Sequence, residues 1–175
     1  FDTGGSISCW IYPNAIGEAS QGNIISKAAG TGGQSGYVIH MGSESGGDFD
    51  IAFKKGFDGG DGVWTNDGRP IKKGAWNHFV VTYMADSASN NPKFYVNGEA
   101  VTVDRDTGPS GTTETDASQA MTIGNQSAAT DRAYEGAITE VSYWNSRLSQ
   151  AEVNELYNDG KALDARTHSN AATST

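Results

Sequence analysis

The sequence predicts an all-β fold of antiparallel strands, a sandwich or a barrel. Residues 76–84 alternate across a strand and are largely apolar on both faces, which indicates a strand in the middle of a sheet. Asn97-Gly98 lies between two apolar runs, and this dipeptide is typical of a tight hairpin turn because both residues tolerate positive φ. The 23 glycines fit many turns between short strands.

The remaining strands follow from the same alternation. Pro13 ends the first of them, because proline has no N–H to donate to a ladder. The range 48–54 places Phe49, Ile51 and Phe53 on one face and Asp48, Asp50 and Lys54 on the other, so that one face should meet water. Residues 104–119 read as a long polar loop. Strands are expected at 6–12, 23–27, 36–41, 48–54, 63–65, 76–84, 94–96, 99–101, 121–123 and 136–144.

One short helix should close the domain. Ser149 and Glu152 have the spacing of a capping box, and Leu148 and Val153 that of a hydrophobic staple. Gly160 is placed to end the helix in a left-handed conformation. We therefore expect one domain over residues 1–163, followed at 164–175 by a polar linker or frayed tail.

The charge and composition of the chain limit the classes of partner that it is expected to bind. The formal net charge is −9, the pI is about 4.6 and the mean hydropathy is −0.51. Nucleic acid and anionic membrane surfaces would require clustered Lys and Arg, so neither is expected. No apolar run approaches the roughly 18 residues of a membrane span. Cys9 is the single cysteine, and its place in an apolar strand predicts a buried, inert thiol.

The ordered segments 7–13, 25–27, 36–39, 76–83, 94–98, 121–125, 136–141 and 144–152 carry a family resemblance. Together they resemble a laminin-G-like jelly roll of the concanavalin A-like lectin and glucanase superfamily, of the broad bacterial and phage kind. The resemblance implies an antiparallel β-sandwich of two sheets packed face to face. It does not fix the function, because this superfamily includes lectins, adhesins, enzyme accessory modules and virion proteins.

Two departures from the family pattern matter. Thr139 stands where members commonly have an Asp before Glu140, which puts any calcium role of that carboxylate in doubt. Members also usually begin with a further strand that pairs with one after the helix. We therefore expect an unpaired edge beside 6–12 or 136–144, and a chain that is a segment of a longer polypeptide or a subunit of an assembly.

Catalysis is not expected. Glucanases of the superfamily place two or three carboxylates on alternate residues of one strand, and this chain has no such run. Glu114 and Asp116 have part of the spacing but lie in a polar loop, and Glu140 alone cannot supply both roles. The three histidines are scattered. His78 is expected to be a packed or hydrogen-bonded residue of the sheet.

Asp58, Asp61 and Asp67 lie in the densest run of potential oxygen ligands. Carboxylates and carbonyls in glycine-rich turns suit a hard cation, so Ca²⁺ is a candidate cofactor with these three residues as metal ligands. The spacing does not match an EF-hand. The alternative is a pair of solvated turns in an acidic protein.

Aromatic residues could stack on the apolar faces of sugar rings. The family position favours a core role for Trp10, Trp76 and Trp144. Trp64, in a polar region, is the better exposed candidate, and we predict Trp64 and Tyr134 as ligand-binding residues.

The sequence thus favours a non-catalytic, lectin-like recognition or adhesion module of a larger protein, with a glycan or surface polysaccharide and neighbouring protein chains as partners. The expected location is extracellular, at a cell surface or on a virion surface. The alternative is a purely structural module of a virion or extracellular filament. A glycan-degrading enzyme is disfavoured because the carboxylate pair is missing.

Overall fold

The structure is a computed structural model, and it describes residues 1–30, 34–126 and 130–171. These residues form antiparallel strands in two sheets and one α-helix near the C-terminus. The strands are β1 (Gly5–Pro13), β2 (Asn23–Lys27), β3 (Tyr37–Ser45), β4 (Asp48–Lys55), β5 (Gly62–Asn66), β6 (Ile71–Lys72), β7 (Asn77–Tyr83), β8 (Lys93–Val96), β9 (Glu99–Val101), β10 (Val103–Thr107), β11 (Thr122–Ile123) and β12 (Gly136–Trp144); the helix is α1 (Gln150–Tyr157).

The two sheets are a five-stranded sheet in the order β12-β1-β7-β8-β9 and a seven-stranded sheet in the order β10-β5-β4-β3-β2-β11, with β6 paired to β4. Their inward faces enclose one large apolar core. Phe79 and Tyr83 of β7 enter it from the five-stranded sheet, and Ile51 and Phe53 of β4 from the seven-stranded sheet. The predicted jelly-roll sandwich is confirmed.

The central strand is β7, as the alternation predicts. It lies between β1 and β8, and every residue of it is buried. Its second face carries Val80, which packs under the helix. The hairpin after β8 turns at Asn97 and Gly98, whose φ angles are 52° and 84°. Asn97 also ties the turn to β7, because its side-chain oxygen accepts a bond of 2.8 Å from the backbone N–H of His78.

Helix α1 begins with the predicted capping box. The Ser149 hydroxyl accepts from the backbone N–H of Glu152, and the Glu152 carboxylate accepts from the N–H of Ser149 at 2.6 Å. Leu148 and Val153 belong to one buried cluster, as a staple requires. The helix ends at Asn158 instead of Gly160, because Asn158 already adopts the left-handed conformation at φ 48°.

Two predictions about strands are wrong. Residues 103–107, expected largely within a polar loop, form β10 on β5 at one edge of the seven-stranded sheet. An edge strand exposed on both faces needs no apolar alternation, which explains why the pattern missed it. Asp50 of β4 is 8% exposed instead of facing water. Its carboxylate accepts from Asn66 at 3.2 Å and lies 3.7 Å from Arg69.

The segment predicted as a linker or tail packs against the helix as far as it is described. Ala165–Thr167 form a short 3₁₀ turn, and His168 is buried. The His168 Nε2 lies 3.0 Å from the Glu152 carbonyl, and the ring contacts Trp144 edge-on at 5.6 Å. Residues 172–175 lie outside the described range.

The free edge falls on one of the two expected strands. β1 is paired on both sides, whereas β12 forms one end of the five-stranded sheet within the described residues. The β1–β12 register shifts between Ser8 and Trp10, next to Glu140, which has a φ of 51°. Such a bulge increases the local twist of an edge strand.

The cysteine prediction is confirmed. Cys9 is fully buried between the sheets, and burial raises the pKa of its thiol to about 12, so the thiol stays protonated and unreactive. Within the described part of the chain, no helix is long and apolar enough to cross a membrane.

Candidate functional site

Trp64 is not an exposed platform, and this prediction is wrong. The ring is 0% exposed and points from β5 into the core, 5.3 Å from Tyr83 and 6.0 Å from Phe53 between ring centroids. Its indole N–H donates to the side-chain oxygen of Asn91 at 2.9 Å. The polar flanks of Trp64 belong to the outward face of a strand, whereas Trp64 itself is inward. The alternation of Val63, Trp64 and Thr65 was the signal that could have shown this.

Tyr134 lies at the margin of the core instead of on an open surface. It packs against the core cluster, and its hydroxyl oxygen is buried without a hydrogen-bond partner. Burial raises the pKa of the Tyr134 phenol. A sugar ring therefore has little of this side chain to contact.

The three predicted metal ligands do not converge. Asp61 directly precedes β5 and Asp67 directly follows it, so about 20 Å of extended strand separates them. The Asp58 carboxylate accepts hydrogen bonds from the N–H and the hydroxyl of Thr112, at 2.7 and 2.8 Å. These bonds lower the pKa of the Asp58 carboxyl. Burial raises the pKa of Asp61. Among the described residues no three His, Cys, Asp or Glu side chains form a group that could hold a metal ion. Calcium binding by this loop stays a prediction.

The structure instead places a half-buried tyrosine, Tyr12, beside an exposed tryptophan, Trp76. Trp76 is 46% exposed, and its ring meets that of Tyr12 edge-on at 5.6 Å. The antiparallel pairing of β1 with β7 produces this contact. Ile11 lies opposite Asn77, so Tyr12, which follows Ile11, lies opposite Trp76, which precedes Asn77. The expectation that Trp76 is a core residue is wrong.

A pocket of about 210 Å³ adjoins this aromatic pair. Trp10 and Thr139 are register partners on β1 and β12 and form its floor, while Trp76 and the turn at 160–162 form its walls. We call Tyr12, Trp76 and this pocket the aromatic site. Its surface is mainly apolar, and Lys161 supplies a cation at the rim.

The floor of the aromatic site is held rigidly from below. The Trp10 ring stacks on Tyr157 of α1 at 5.8 Å and lies 5.2 Å from the His78 ring. His78 Nε2 is 2.8 Å from the Ser8 hydroxyl, and burial lowers the pKa of His78 to about 4. His78 is therefore a neutral, packed sheet residue, as predicted. A fixed aromatic floor reduces the entropy that a bound ring must overcome.

The predicted core roles of Trp10 and Trp144 are confirmed, since they are 6% and 7% exposed. Glu140, the carboxylate considered for catalysis, lies exposed at the bulge of β12. Glu114 accepts from the Ser35 N–H at 2.8 Å, and Asp116 is buried beside Lys27. These acidic side chains thus have separate structural surroundings.

Two antiparallel sheets packed face to face define a jelly-roll β-sandwich domain. A family model matches residues 2–154 and is described as the concanavalin A-like lectin/glucanases superfamily. The chain belongs to the laminin-G-like group of the concanavalin A-like lectin/glucanases superfamily. The expected resemblance is confirmed. No curated protein sequence matches the chain.

Solved structures with this fold come from diverse proteins. A heptameric SAP-like pentraxin from Limulus polyphemus is 14% identical with a TM-score of 0.62, over 97% of this chain and 71% of the pentraxin. The CBM40 domain of a Ruminococcus gnavus IT-sialidase, bound to α2,3-sialyllactose, is 12% identical with a TM-score of 0.62, over 89% of this chain and 83% of that domain. Tailspike protein 2 of bacteriophage CBA120 is 15% identical with a TM-score of 0.65, over 89% of this chain and 24% of the tailspike chain. At these identities the likeness concerns the fold alone.

Proposed function

We propose that this chain is a non-catalytic, glycan-binding module of a larger extracellular or virion-surface protein. The observation that supports the proposal is the exposed Trp76 beside Tyr12 over an apolar pocket. Sugar rings present apolar C–H faces that pack on aromatic rings. The sialyllactose-bound CBM40 domain gives a precedent for glycan binding on this fold.

The ligand that fits best is a neutral or lightly charged sugar. The pocket of about 210 Å³ has room for about one ring, and its walls offer apolar surface with few polar groups. Thr139 and Lys161, which both line the pocket, could donate to sugar hydroxyls. Recognition would therefore depend on stacking at Trp76 and on a small number of orienting hydrogen bonds.

A glycan array followed by calorimetry tests this proposal. Trp76→Ala should raise the Kd for the best neutral glycan about tenfold, corresponding to about 1.4 kcal/mol of lost stacking. Tyr143→Ala is the matched control, because Tyr143 is 48% exposed on β12 and outside the aromatic site. Equal affinities in wild type and Trp76→Ala, with both proteins folded, would reject the aromatic site as the binding surface.

A second function, a structural module of an assembly, is favoured by a separate observation. β12 ends the five-stranded sheet in the described structure, and exposed Tyr143 on it adjoins Met121 near β11. Met121 and Ile123 are both 51% exposed. An edge strand beside apolar side chains suits pairing with a neighbouring chain. A complete lack of glycan binding together with self-association would favour this function over glycan recognition.

A further inference from the structure

A cavity of about 740 Å³ lies at the N-terminal end of α1, whereas the aromatic site lies beyond its C-terminal end. Tyr95 and Thr82 line it from the five-stranded sheet, and Leu148 and Gln150 line it from the start of the helix. A volume of this size is within the usual range of about 300–1,000 Å³ for small-ligand pockets. Nothing in the proposed glycan-binding function uses it.

The charge of this cavity is opposite to that of the protein. The chain has 21 acidic and 12 basic residues, yet the charged side chains that line the cavity are Lys93 and Arg147, with no carboxylate. Within the described structure neither cation forms a hydrogen bond or an ion pair through its side chain. Other cations are paired, such as Lys72 with Asp48 at 2.6 Å. Two unpaired cations at one cavity create a local positive potential.

The walls supply groups that a hydroxylated ligand could use. The Ser149 hydroxyl accepts from the Glu152 N–H and is itself hydrogen-bonded to the Glu152 carboxylate, so it offers the cavity its remaining acceptor lone pair. Gln150 is fixed by a bond of 2.5 Å from its amide to the Gly98 carbonyl. Tyr95 is 5% exposed and packs beneath the helix, so it gives the cavity a firm apolar surface. Burial raises the pKa of Tyr95, and the nearby Arg147 charge opposes that increase.

We propose that this cavity binds the anionic group of an acidic sugar, a carboxylate or a sulfate, between Lys93 and Arg147. The Arg147 guanidinium is suited to hold two oxygens of the anion side by side, while Lys93 acts as a point charge. The hydroxyl of Ser149 and the apolar surface of Tyr95 then accommodate the sugar ring. The overall charge of −9 opposes long polyanions, so the ligand carries one or a few charges.

Calorimetric titration of the full chain with four probes tests the proposal: trigalacturonic acid, a monosulfated disaccharide, inorganic sulfate and a neutral galactose trisaccharide. We expect one of the two acidic sugars to bind more tightly than inorganic sulfate and to perturb the amide NMR signals of Ala100 and Val101. Binding should weaken with added salt. Failure of both acidic sugars to bind, or equal affinity for the neutral trisaccharide at this cavity, would overturn the proposal. Tighter binding of inorganic sulfate than of either sugar would also overturn the sugar assignment.

Variants distinguish this cavity from the aromatic site. Lys93→Gln and Arg147→Gln should each weaken the binding of the acidic sugar about tenfold, corresponding to about 1.4 kcal/mol, because each removes a charge-assisted hydrogen bond. Arg147→Lys should recover only part of the loss. Lys72→Gln, an exposed cation on the other sheet, should leave affinity unchanged, and so should Trp76→Ala. An equal loss of affinity in Lys72→Gln would indicate nonspecific charge attraction. A loss of affinity in Trp76→Ala would show that the acidic sugar binds at the aromatic site. Either result contradicts the proposal.

Discussion

Trp64 of one sheet and Tyr83 of the other pack 5.3 Å apart between ring centroids, so that this contact joins the two layers of the sandwich. Both rings are 0% exposed. Trp64→Ala should therefore lower the free energy of unfolding by about 3–5 kcal/mol, because it leaves a large cavity in a closed core. Trp64→Phe should cost less, since the ring volume is partly kept.

Denaturant unfolding measures this effect, and glycan binding serves as the second readout. Trp76→Ala should change stability far less than Trp64→Ala, since Trp76 is 46% exposed. A Trp64→Ala protein of normal stability that has lost glycan binding would contradict the core assignment and restore Trp64 as a ligand contact.

The capping box should contribute measurably to the stability of α1. Ser149→Ala removes the acceptor for the Glu152 N–H and should lower the free energy of unfolding by about 1 kcal/mol. Urea unfolding should show a lower midpoint at an unchanged m-value. Ser118→Ala, in an exposed turn, is the control and should have no effect. The same midpoint in Ser149→Ala and wild type would argue against the cap.

Two buried histidines should make the fold sensitive to acid. Burial lowers the pKa of His40 to about 4, with the charges of Lys54 and Arg132 acting in the same direction, and burial lowers the pKa of His78 to about 4. Unfolded histidine titrates near 6.5, so the unfolded state binds more protons below that pH. The stabilisation by neutral rings is complete above pH 6.5 and is lost as pH falls towards 4, by as much as about 3 kcal/mol for each ring.

Unfolding free energies measured between pH 4 and 7.5 test this dependence. His78→Gln should reduce the slope between pH 6.5 and 4, because glutamine does not titrate. A slope that is identical in wild type, His40→Gln and His78→Gln would show that other groups control the acid response.

Calcium at the loop from Asp58 to Asp67 can be tested by mass action. Millimolar calcium should raise the melting temperature and EDTA should lower it, because a ligand bound only to the folded state stabilises that state. Asp58→Asn and Asp61→Asn should reduce the shift. Asp67→Asn should leave the calcium-induced shift in melting temperature unchanged, since Asp67 lies at the opposite end of β5 from Asp61. A melting temperature that changes with neither calcium nor EDTA would favour the alternative, that these residues form solvated turns.

The free edge at β12 should promote association of the isolated chain. Light scattering is expected to show oligomers, and hydrogen exchange along β12 should slow as the oligomer forms. Tyr143→Lys should reduce association, because lysine on an edge strand disfavours pairing. A stable, monodisperse monomer at all concentrations would contradict the prediction that the β12 edge pairs with another chain.

Local patterns were enough to predict most of the fold. The alternation in 76–84, the Asn97-Gly98 turn and the Ser149 cap each depend on backbone geometry within a few residues, so the local sequence is enough to specify them. The resemblance of the ordered segments to the family then predicted how these elements are arranged, as a sandwich of two sheets, and the structure confirms that arrangement. β10 escaped prediction because an exposed edge strand carries no apolar face.

The candidate sites depended on the tertiary structure. Whether a tryptophan is exposed is decided by the sheet or helix that covers it, so Trp64 became core and Trp76 became surface although both have polar neighbours in sequence. Asp61 and Asp67 are close in sequence, yet a straight strand holds them apart. Lys93 and Arg147 are distant in sequence and meet at one cavity only because α1 docks on the five-stranded sheet. Sequence spacing describes the path of the chain, whereas packing determines which side chains share a space.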